Sequence, residues 1–540
     1  MITVTIDARS VQVEPGQTLL TAARQLGLEI PTLCHHEKCT PSTSCQVCLV
    51  KLTGNGTSRL VPSCATIAED GMVVESQTAE VFDARRTALE LLFSDHVGDC
   101  LSPCHRICPL QLNIPRMLRE VEAGRIDEAT KTVREAIPLA GITGWLCSAP
   151  CEQGCRRGTH DQPAAIREVE RFLAEREAAD EKAVPSRRHP ASGRAVAVIG
   201  TGPAGLATAH ALLHAGHRVT LVDRHPEAGG SLRGEVGEGR LPSRVLRAEL
   251  DRLERLGARF KLAVELGQDL TIDGLLRGFA AVVLALGEGG KAQASALGLL
   301  LQPTGVKTNA ETGLTNLARV FATGSIVKPL RQVVRALADG KNVGHAVNRF
   351  LAGQVIQRIP KPFSSLMGKL APDEVRQFMI GPNPAPRVTP GTGPQPGFSR
   401  DEARTESSRC LHCDCRSAGD CDLQRYAEIY GVDPGRFRGE RRPFEQYLEH
   451  GEIIFEPGKC ILCGICVQLA EQAREPLGLS FVGRGFDVRI GVPFSREIDE
   501  GLQRVGRECV EACPTGALVF KDEFERQMLG FSATGRCGRP

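Results

Sequence analysis

Residues 2–6 alternate apolar and polar positions as ITVTI, Asp7-Ala8-Arg9 supplies a turn, and residues 11–13 read as a returning strand. Pro15 and Gly16 then break the pattern ahead of a helical stretch at residues 18–26, so the chain opens as strand, hairpin, strand and helix. Residues 85–180 read as helical, with Met117, Leu118, Val121, Ile126, Ala129 and Val133 at helical spacing between cysteine-rich loops. A βαβ unit begins at Ala195 and extends no further than Ala352. Nine prolines between Pro360 and Pro396 predict an extended surface connector. The pattern divides the chain into residues 1–80, 81–184, 194–352, a proline-rich linker at 353–399, and a cysteine-bearing section at 400–540.

Charge changes the picture by exclusion. Lysine and arginine number 66 against 64 acidic residues, without the dominant basic field that nucleic acid or a membrane surface would require. No apolar run approaches the ~20 residues of a membrane span, and the opening residues lack a basic region followed by an apolar one. A cytoplasmic protein with protein and small-cofactor partners is expected. The 21 cysteines are the strongest chemical signal. In a reducing compartment their close spacing points to metal ligands rather than disulfides.

Cys34, Cys45, Cys48 and Cys64 follow the opening hairpin and helix, and four thiolates at this spacing suit a 2Fe-2S cluster held by one long loop. A zinc site is the alternative. The segment IPTLCHHEKCTPSTSCQVCLV resembles 2Fe-2S ferredoxins and the N-terminal domain of the large iron-sulfur subunit of complex I and related hydrogenases. Cys39 has no assigned role.

Two further groups, HVGDCLSPCHRICP and CSAPCEQGC, flank a helical stretch. They resemble the N-terminal domain of the glutamate synthase small subunit and of dihydropyrimidine dehydrogenase, which holds two 4Fe-4S clusters. The resemblance implies Cys108 with Cys147 and Cys151 for one cluster, and Cys100 and Cys104 with Cys155 for the other. It also implies Glu170 as an oxygen ligand from the helix after the last cysteine. His96 stands near the family's missing upstream cysteine, and the complex I subunit has a histidine at a similar place. The plain readings are a loop histidine and a solvated helix glutamate.

AVAVIGTGPAG runs an apolar strand into Gly200, Gly202, Pro203, Ala204 and Gly205, whose glycines permit a tight turn and let backbone amides at a helix N-terminus meet a pyrophosphate. Asp223 ends the next strand, where a carboxylate can accept from a ribose hydroxyl. The segments VTLVDRHPEAGGSLR, with Arg224 and Gly230, and RVFATGSIVKPLRQVVRALADGKNVGHAVNRFL, with Gly324 and Ser325, resemble the two ends of the FAD domain of the glutamate synthase family. Ser325 stands where that family has an aspartate. The family's inserted NADPH domain is replaced by about a dozen residues, too few for a βαβ unit of ~30. FAD is the expected cofactor, and NADPH is not expected to be its direct donor.

Cys410, Cys413, Cys415 and Cys421 form a compact four-thiolate group that suits a 4Fe-4S cluster or zinc; its redox neighbours favour the cluster. PGKCILCGICVQLAE and ECVEACPTGAL resemble a bacterial-type ferredoxin in which Ala470, Gln503 and Gly506 replace three cysteines. Cys460, Cys463, Cys466 and Cys513 remain as one complete set, with Cys509 spare. GLSFVGRGFDVRIGVPF resembles the complex I large subunit and NAD-linked formate dehydrogenases and hydrogenases.

The expected fold is multidomain α/β and α+β: a β-grasp 2Fe-2S ferredoxin, a helical 4Fe-4S domain, a Rossmann-like FAD domain without the NADPH insertion, and a C-terminal ferredoxin-like 4Fe-4S domain. One 2Fe-2S cluster, about four 4Fe-4S clusters and FAD are expected. No catalytic triad or open metal site is evident. The expected function is an electron-transfer subunit of an NAD-linked oxidoreductase, with an NADH/FMN-type iron-sulfur subunit and a hydrogenase or formate dehydrogenase catalytic subunit as partners. A stand-alone ferredoxin-linked flavin reductase and a zinc scaffold are the alternatives.

Overall fold

A computed structural model describes residues 1–54, 57–179, 189–391 and 397–521; Cys537 lies outside them. The chain forms two compact units that do not follow the sequential division. One comprises residues 1–102, 362–380 and 412–540, the other residues 103–361 and 381–411.

In the first unit, Asp7 and Ala8 adopt positive φ (46° and 62°) and turn the strand Ile2–Ile6 into its antiparallel partner Arg9–Val13. Ile2–Ile6 also pairs in parallel with Val73–Glu75, and Leu49–Gly54 and Thr57–Pro62 complete a mixed five-stranded β-grasp sheet. The helix Leu19–Gln25 starts at Thr18, whose hydroxyl accepts from Thr21 N at 3.3 Å, and it buries Leu19, Leu20, Ala22 and Ala23 against Val4, Ile6 and Val50. The helix Ala79–Ser94 carries the buried Arg85, which donates to Leu49 O and to the Tyr430 hydroxyl, each at 2.9 Å. The C-terminal part has a ferredoxin-like core: the antiparallel strands Ile453–Phe455 and Leu518–Phe520, with helices Ile465–Gln472 and Gly506–Ala512.

The proline-rich stretch is only in part the extended surface connector that its composition predicts. Its first part carries the helix Pro372–Phe378 and buries Met367 and Phe378. Glu374 fixes it there, accepting from Ala371 N at 2.7 Å, from Phe444 N at 2.8 Å and from the Arg441 guanidinium. Proline ends regular structure, but it does not prevent the residues between from being buried.

The second unit joins a helical domain to a five-stranded parallel sheet. Its strand order is Val320–Ala322, Ala281–Leu284, Ala195–Ile199, Arg218–Val222, Arg259–Lys261, a doubly wound arrangement. The helices Pro203–His214 and Val333–Leu351 cross at small residues. A Cβ on Gly340 would lie 2.1 Å from Ala204 O, and Thr208 Oγ1 donates to Gly340 O at 2.9 Å. Where an NADPH domain would be inserted, the chain makes only the turn Glu288–Gly290 and the helix Lys291–Ala296. Arg134 of the helical domain pairs with Glu249 at 3.0 Å on the Rossmann helix Ser243–Arg255, and Glu249 also accepts from Gly141 N at 2.6 Å. Among the described residues, no helix is long and apolar enough to cross a membrane.

Candidate iron-sulfur and nucleotide sites

The thiols of Cys34, Cys45, Cys48 and Cys64 converge in the loop beside the β-grasp sheet. Cys48 and Cys64 lie 3.3 Å apart, and Cys34 is hydrogen-bonded to Cys45 and Cys64. Those bonds pull the Cys34 thiol far below its ordinary range, and the Cys64 contact brings Cys48 down to about 7 against the opposing effect of burial. The same contacts raise Cys45 and Cys64, so what suits the loop to thiolate ligation is the convergence of the four sulfurs. Cys39 is buried as well, with its sulfur 3.9 Å from Ile465 O.

In the second unit, Cys108, Cys147, Cys151 and Glu170 stand close enough for their charges to interact. Glu170 is buried, not solvated, and its Oε1 accepts from the Thr143 hydroxyl. Burial pushes its carboxyl up to about 7, and burial likewise lifts Cys147 to about 12. A buried carboxylate facing three thiols is costly unless a cation compensates for it. Iron would be that cation.

The sequence pairs Cys100 with Cys104 and Cys155 and keeps Cys410 to Cys421 as one group. The structure adds a partner to Cys100. Cys100 and His96 lie in the first unit, whereas Cys104 and Cys155 lie in the second. Cys100 meets Cys415, whose amide donates to Cys100 O at 3.3 Å, and Cys421 lies within range of the charges of both. Cys410 belongs to the second unit, where Arg157, two residues after Cys155, donates to Arg409 O at 2.7 Å. His96 is half-buried as a residue, but its Nδ1 is enclosed and has no hydrogen-bond partner, and desolvation followed by the Lys459 charge drives its pKa down to about 3. A neutral imidazole with an enclosed, unpartnered nitrogen keeps a lone pair for a metal. Ser365 lies 3.3 Å from Cys100 Sγ and donates to Gly98 O at 2.7 Å.

Cys460, Cys463, Cys466 and Cys513 gather around the start of the helix Ile465–Gln472, and burial lifts Cys460 to about 12. Leu462, at φ 55°, turns the chain within this motif, and its amide donates to Cys460 Sγ at 3.4 Å. Cys509 packs behind, its sulfur 3.8 Å from Cys466 O. Among the described residues no three such side chains close around a single metal ion.

A cavity of about 780 Å³ opens at the Rossmann strand ends, lined by Gly200, Gly202, Pro203, Ala204, Asp223, Arg224, Gly230, Gly324 and Ser325. Gly200 requires its positive φ of 110°, and a Cβ there would lie 2.2 Å from Ala285 O. A Cβ on Gly202 would point into open space, which leaves room for a pyrophosphate against the helix N-terminus. Gly205 is not among the lining residues; a Cβ there would lie 2.0 Å from Gly200 O, so this glycine serves close packing of the turn. Asp223 holds the glycine loop as well as lining the cavity, accepting from Thr201 N at 2.7 Å and from its hydroxyl at 2.6 Å. Sequence reasoning missed Asp339, whose Oδ2 accepts from Thr323 Oγ1 and Gly324 N, each at 2.8 Å. It lies in the helix of the segment that resembles the closing end of the FAD domain, where its residue type alone did not single it out. At its other end the cavity reaches Trp145, Cys147 and Ser148 of the helical domain.

Residues 1–79 match the family described as a 2Fe-2S iron-sulfur cluster binding domain. Residues 94–182 match dihydropyrimidine dehydrogenase domain II, 4Fe-4S cluster, and residues 198–248 an NAD(P)-binding Rossmann-like domain. The beta subunit of NADP(+)-dependent formate dehydrogenase of Moorella thermoacetica is 35% identical over 207 residues, 34% of this chain and 29% of that protein. The small chain of NADPH glutamate synthase of Mycobacterium tuberculosis is 36% identical over 190 residues, 35% of this chain and 39% of that one. An NADH-quinone oxidoreductase subunit of Rhizobium meliloti is 47% identical over 100 residues, 18% of this chain and 12% of that one. The chain thus spans less than half the length of each of these relatives. Among solved structures, an NAD+-reducing NiFe-hydrogenase aligns over 96% of this chain and 87% of its own at 14% identity and a TM-score of 0.35. The chain is a multidomain homologue of oxidoreductase subunits, in which a 2Fe-2S domain, a 4Fe-4S domain and a Rossmann-like NAD(P)-binding domain follow one another.

Proposed function

We propose that the chain is an electron-transfer iron-sulfur flavoprotein subunit of a multisubunit NAD-linked oxidoreductase of the hydrogenase or formate dehydrogenase type. The observation that carries this reading is the Rossmann cavity ending at Cys147, which would put a bound flavin beside a cluster ligand. FAD, when bound, exchanges electron pairs on one side and single electrons on the other, and iron-sulfur clusters pass single electrons. This chain's residues hold and separate the centres. Cys34, Cys45, Cys48 and Cys64 would hold a 2Fe-2S cluster. Cys108, Cys147, Cys151 and Glu170; His96, Cys100, Cys415 and Cys421; and Cys460, Cys463, Cys466 and Cys513 would each hold a 4Fe-4S cluster. Cys104, Cys155 and Cys410 supply three thiolates for a fourth.

The partners of this reading are an NADH/FMN-type iron-sulfur subunit and a hydrogenase or formate dehydrogenase catalytic subunit. The short turn and helix at residues 288–296 leave no second nucleotide domain to bring NADPH to the flavin. Stopped-flow reduction of the purified, fully loaded chain tests this. Dithionite should bleach both flavin and clusters while NADPH leaves them oxidised. Rapid reduction by NADPH would make the flavin an independent active site and end the relay reading.

A further inference from the structure

Lys459 is only 3% exposed, in the turn Pro457–Lys459 immediately before Cys460. Val97 N donates to Gly458 O at 2.7 Å, which draws this turn onto the His96 loop. Two glycines permit the approach. A Cβ on Gly458 would lie 2.6 Å from Val97 Cβ, and one on Gly98 would lie 2.8 Å from Lys459 Cε and 3.3 Å from His96 Nε2. On the other side, a Cβ on Gly516 would lie 2.4 Å from Cys415 Sγ and 3.8 Å from Lys459 Cδ. The lysine side chain therefore runs between His96 and Cys415, in the wall of the His96, Cys100, Cys415 and Cys421 set.

A lone ammonium buried this deeply would lose its proton. Here the buried ammonium has an ion-pair partner in the Glu456 carboxylate, which compensates its charge in place. Three thiolates around a cluster leave a net negative charge that grows by one unit on reduction. A fixed cation within the same low-dielectric wall favours the reduced form.

We propose that Lys459 is the counter-cation of the cluster held by His96, Cys100, Cys415 and Cys421, and that it raises that cluster's reduction potential. The inference rests on the ligand set proposed above. Reduction adds one electron, supplied by dithionite in the experiment, to the cluster; no bond breaks and the lysine keeps its proton.

Electron paramagnetic resonance during a redox titration of the full chain tests it, the relevant signal being the one that Cys421→Ser removes. In Lys459→Met the equilibrium constant for reducing that cluster should fall at least tenfold, about 59 mV for one electron. Lys459→Arg should remain near wild type, and the 2Fe-2S midpoint should not move. An unmoved midpoint in a loaded Lys459→Met protein overturns the role of the lysine alone. If Lys459→Met does not load the cluster, Glu456→Gln decides: removing the opposing carboxylate should shift the midpoint upward, and no upward shift overturns the proposal. If Cys421→Ser removes no signal, the ligand set itself fails, and the lysine's role with it.

Discussion

The hydroxyl of Ser42, in the loop between Cys34 and Cys45, donates to the carbonyl oxygen of Cys463 at 2.9 Å. Around this bond the 2Fe-2S loop is fastened to the C-terminal cluster motif. Thr40 N donates to Gln468 Oε1 at 2.9 Å, Gln472 donates to Lys38 O at 2.7 Å, and Lys38 pairs with Glu508 at 2.6 Å. The sequence places these motifs at opposite ends of the chain, either side of the nucleotide domain; in the structure they belong to one unit.

This junction predicts direct exchange between the two centres. In rapid-freeze spectroscopy of the loaded chain, Cys463→Ser should slow electron equilibration of the 2Fe-2S centre about tenfold or more while its own signal and the FAD content persist. Cys45→Ser should remove the 2Fe-2S signal and leave the 4Fe-4S signals intact. Unchanged kinetics in Cys463→Ser would show that electrons leave the 2Fe-2S centre by another route.

The regrouped cysteines give a sharper test. His96→Ala, Cys100→Ser, Cys415→Ser and Cys421→Ser should each perturb the same 4Fe-4S signal, whereas Cys104→Ser and Cys155→Ser should perturb a different one. Full loading should give about 18 irons, from one 2Fe-2S and four 4Fe-4S clusters. Were Cys100→Ser and Cys104→Ser to strike the same signal, the pairing implied by sequence resemblance would be correct after all.

Glu170→Ala should perturb the cluster nearest the flavin cavity without affecting the 2Fe-2S signal, because the Glu170 carboxylate lies near three thiols. Glu170→Cys should restore that cluster with a four-thiolate spectrum. Normal iron content and spectra in the alanine variant would return Glu170 to a structural role.

Gly200→Ala should weaken flavin binding. The positive φ and the 2.2 Å approach of its Cβ to Ala285 O impose strain of about 1–3 kcal/mol, or roughly tenfold in affinity. Flavin released on denaturation measures the loss, and the iron content should stay unchanged.

The Arg441 guanidinium, against the opposing effect of burial, holds the Glu374 carboxyl down at about 2. A depressed carboxyl contributes stability above its ordinary pKa and loses it as pH falls toward the folded value. Glu374→Gln should therefore cost roughly 1–3 kcal/mol, a range discounted because Arg441 is partly exposed. Urea unfolding should show this difference constant from about pH 6 to 9, above both carboxyl pKa values. A difference that changes across that interval would point to another group.

Much of this was legible in the sequence because it is local. The alternation at residues 2–6 marked the sheet, and the glycine run at Gly200 to Gly205 marked the strand-to-helix turn. The spacing of Cys34, Cys45, Cys48 and Cys64 falls within one loop. Glu170 was found by resemblance, and its burial follows from the apolar neighbours Ile166, Val169 and Leu173 on the same helix. The partnership of Cys100 with Cys415 was not legible, since spacing carries no information about residues hundreds of positions apart. Lys459 was hidden for a different reason: a lysine beside a cysteine motif reads as surface charge until Gly98, Gly458 and Gly516 are seen to enclose it. Asp339 was overlooked because a single acid within a helix resembles any solvated one.

The order in which the chain leaves the ribosome gives the divided first unit a consequence for biosynthesis. Cys34 to Cys64 and then Cys108 to Glu170 emerge early, so their pockets can close while translation continues. His96 and Cys100 emerge early too, but they must wait for Cys415 and Cys421, with the whole nucleotide domain synthesised in between. On the ligand set proposed above, iron delivery to that pocket would be a late event, and a ribosome stalled within the nucleotide domain would release a protein able to load its first centres but lacking this one.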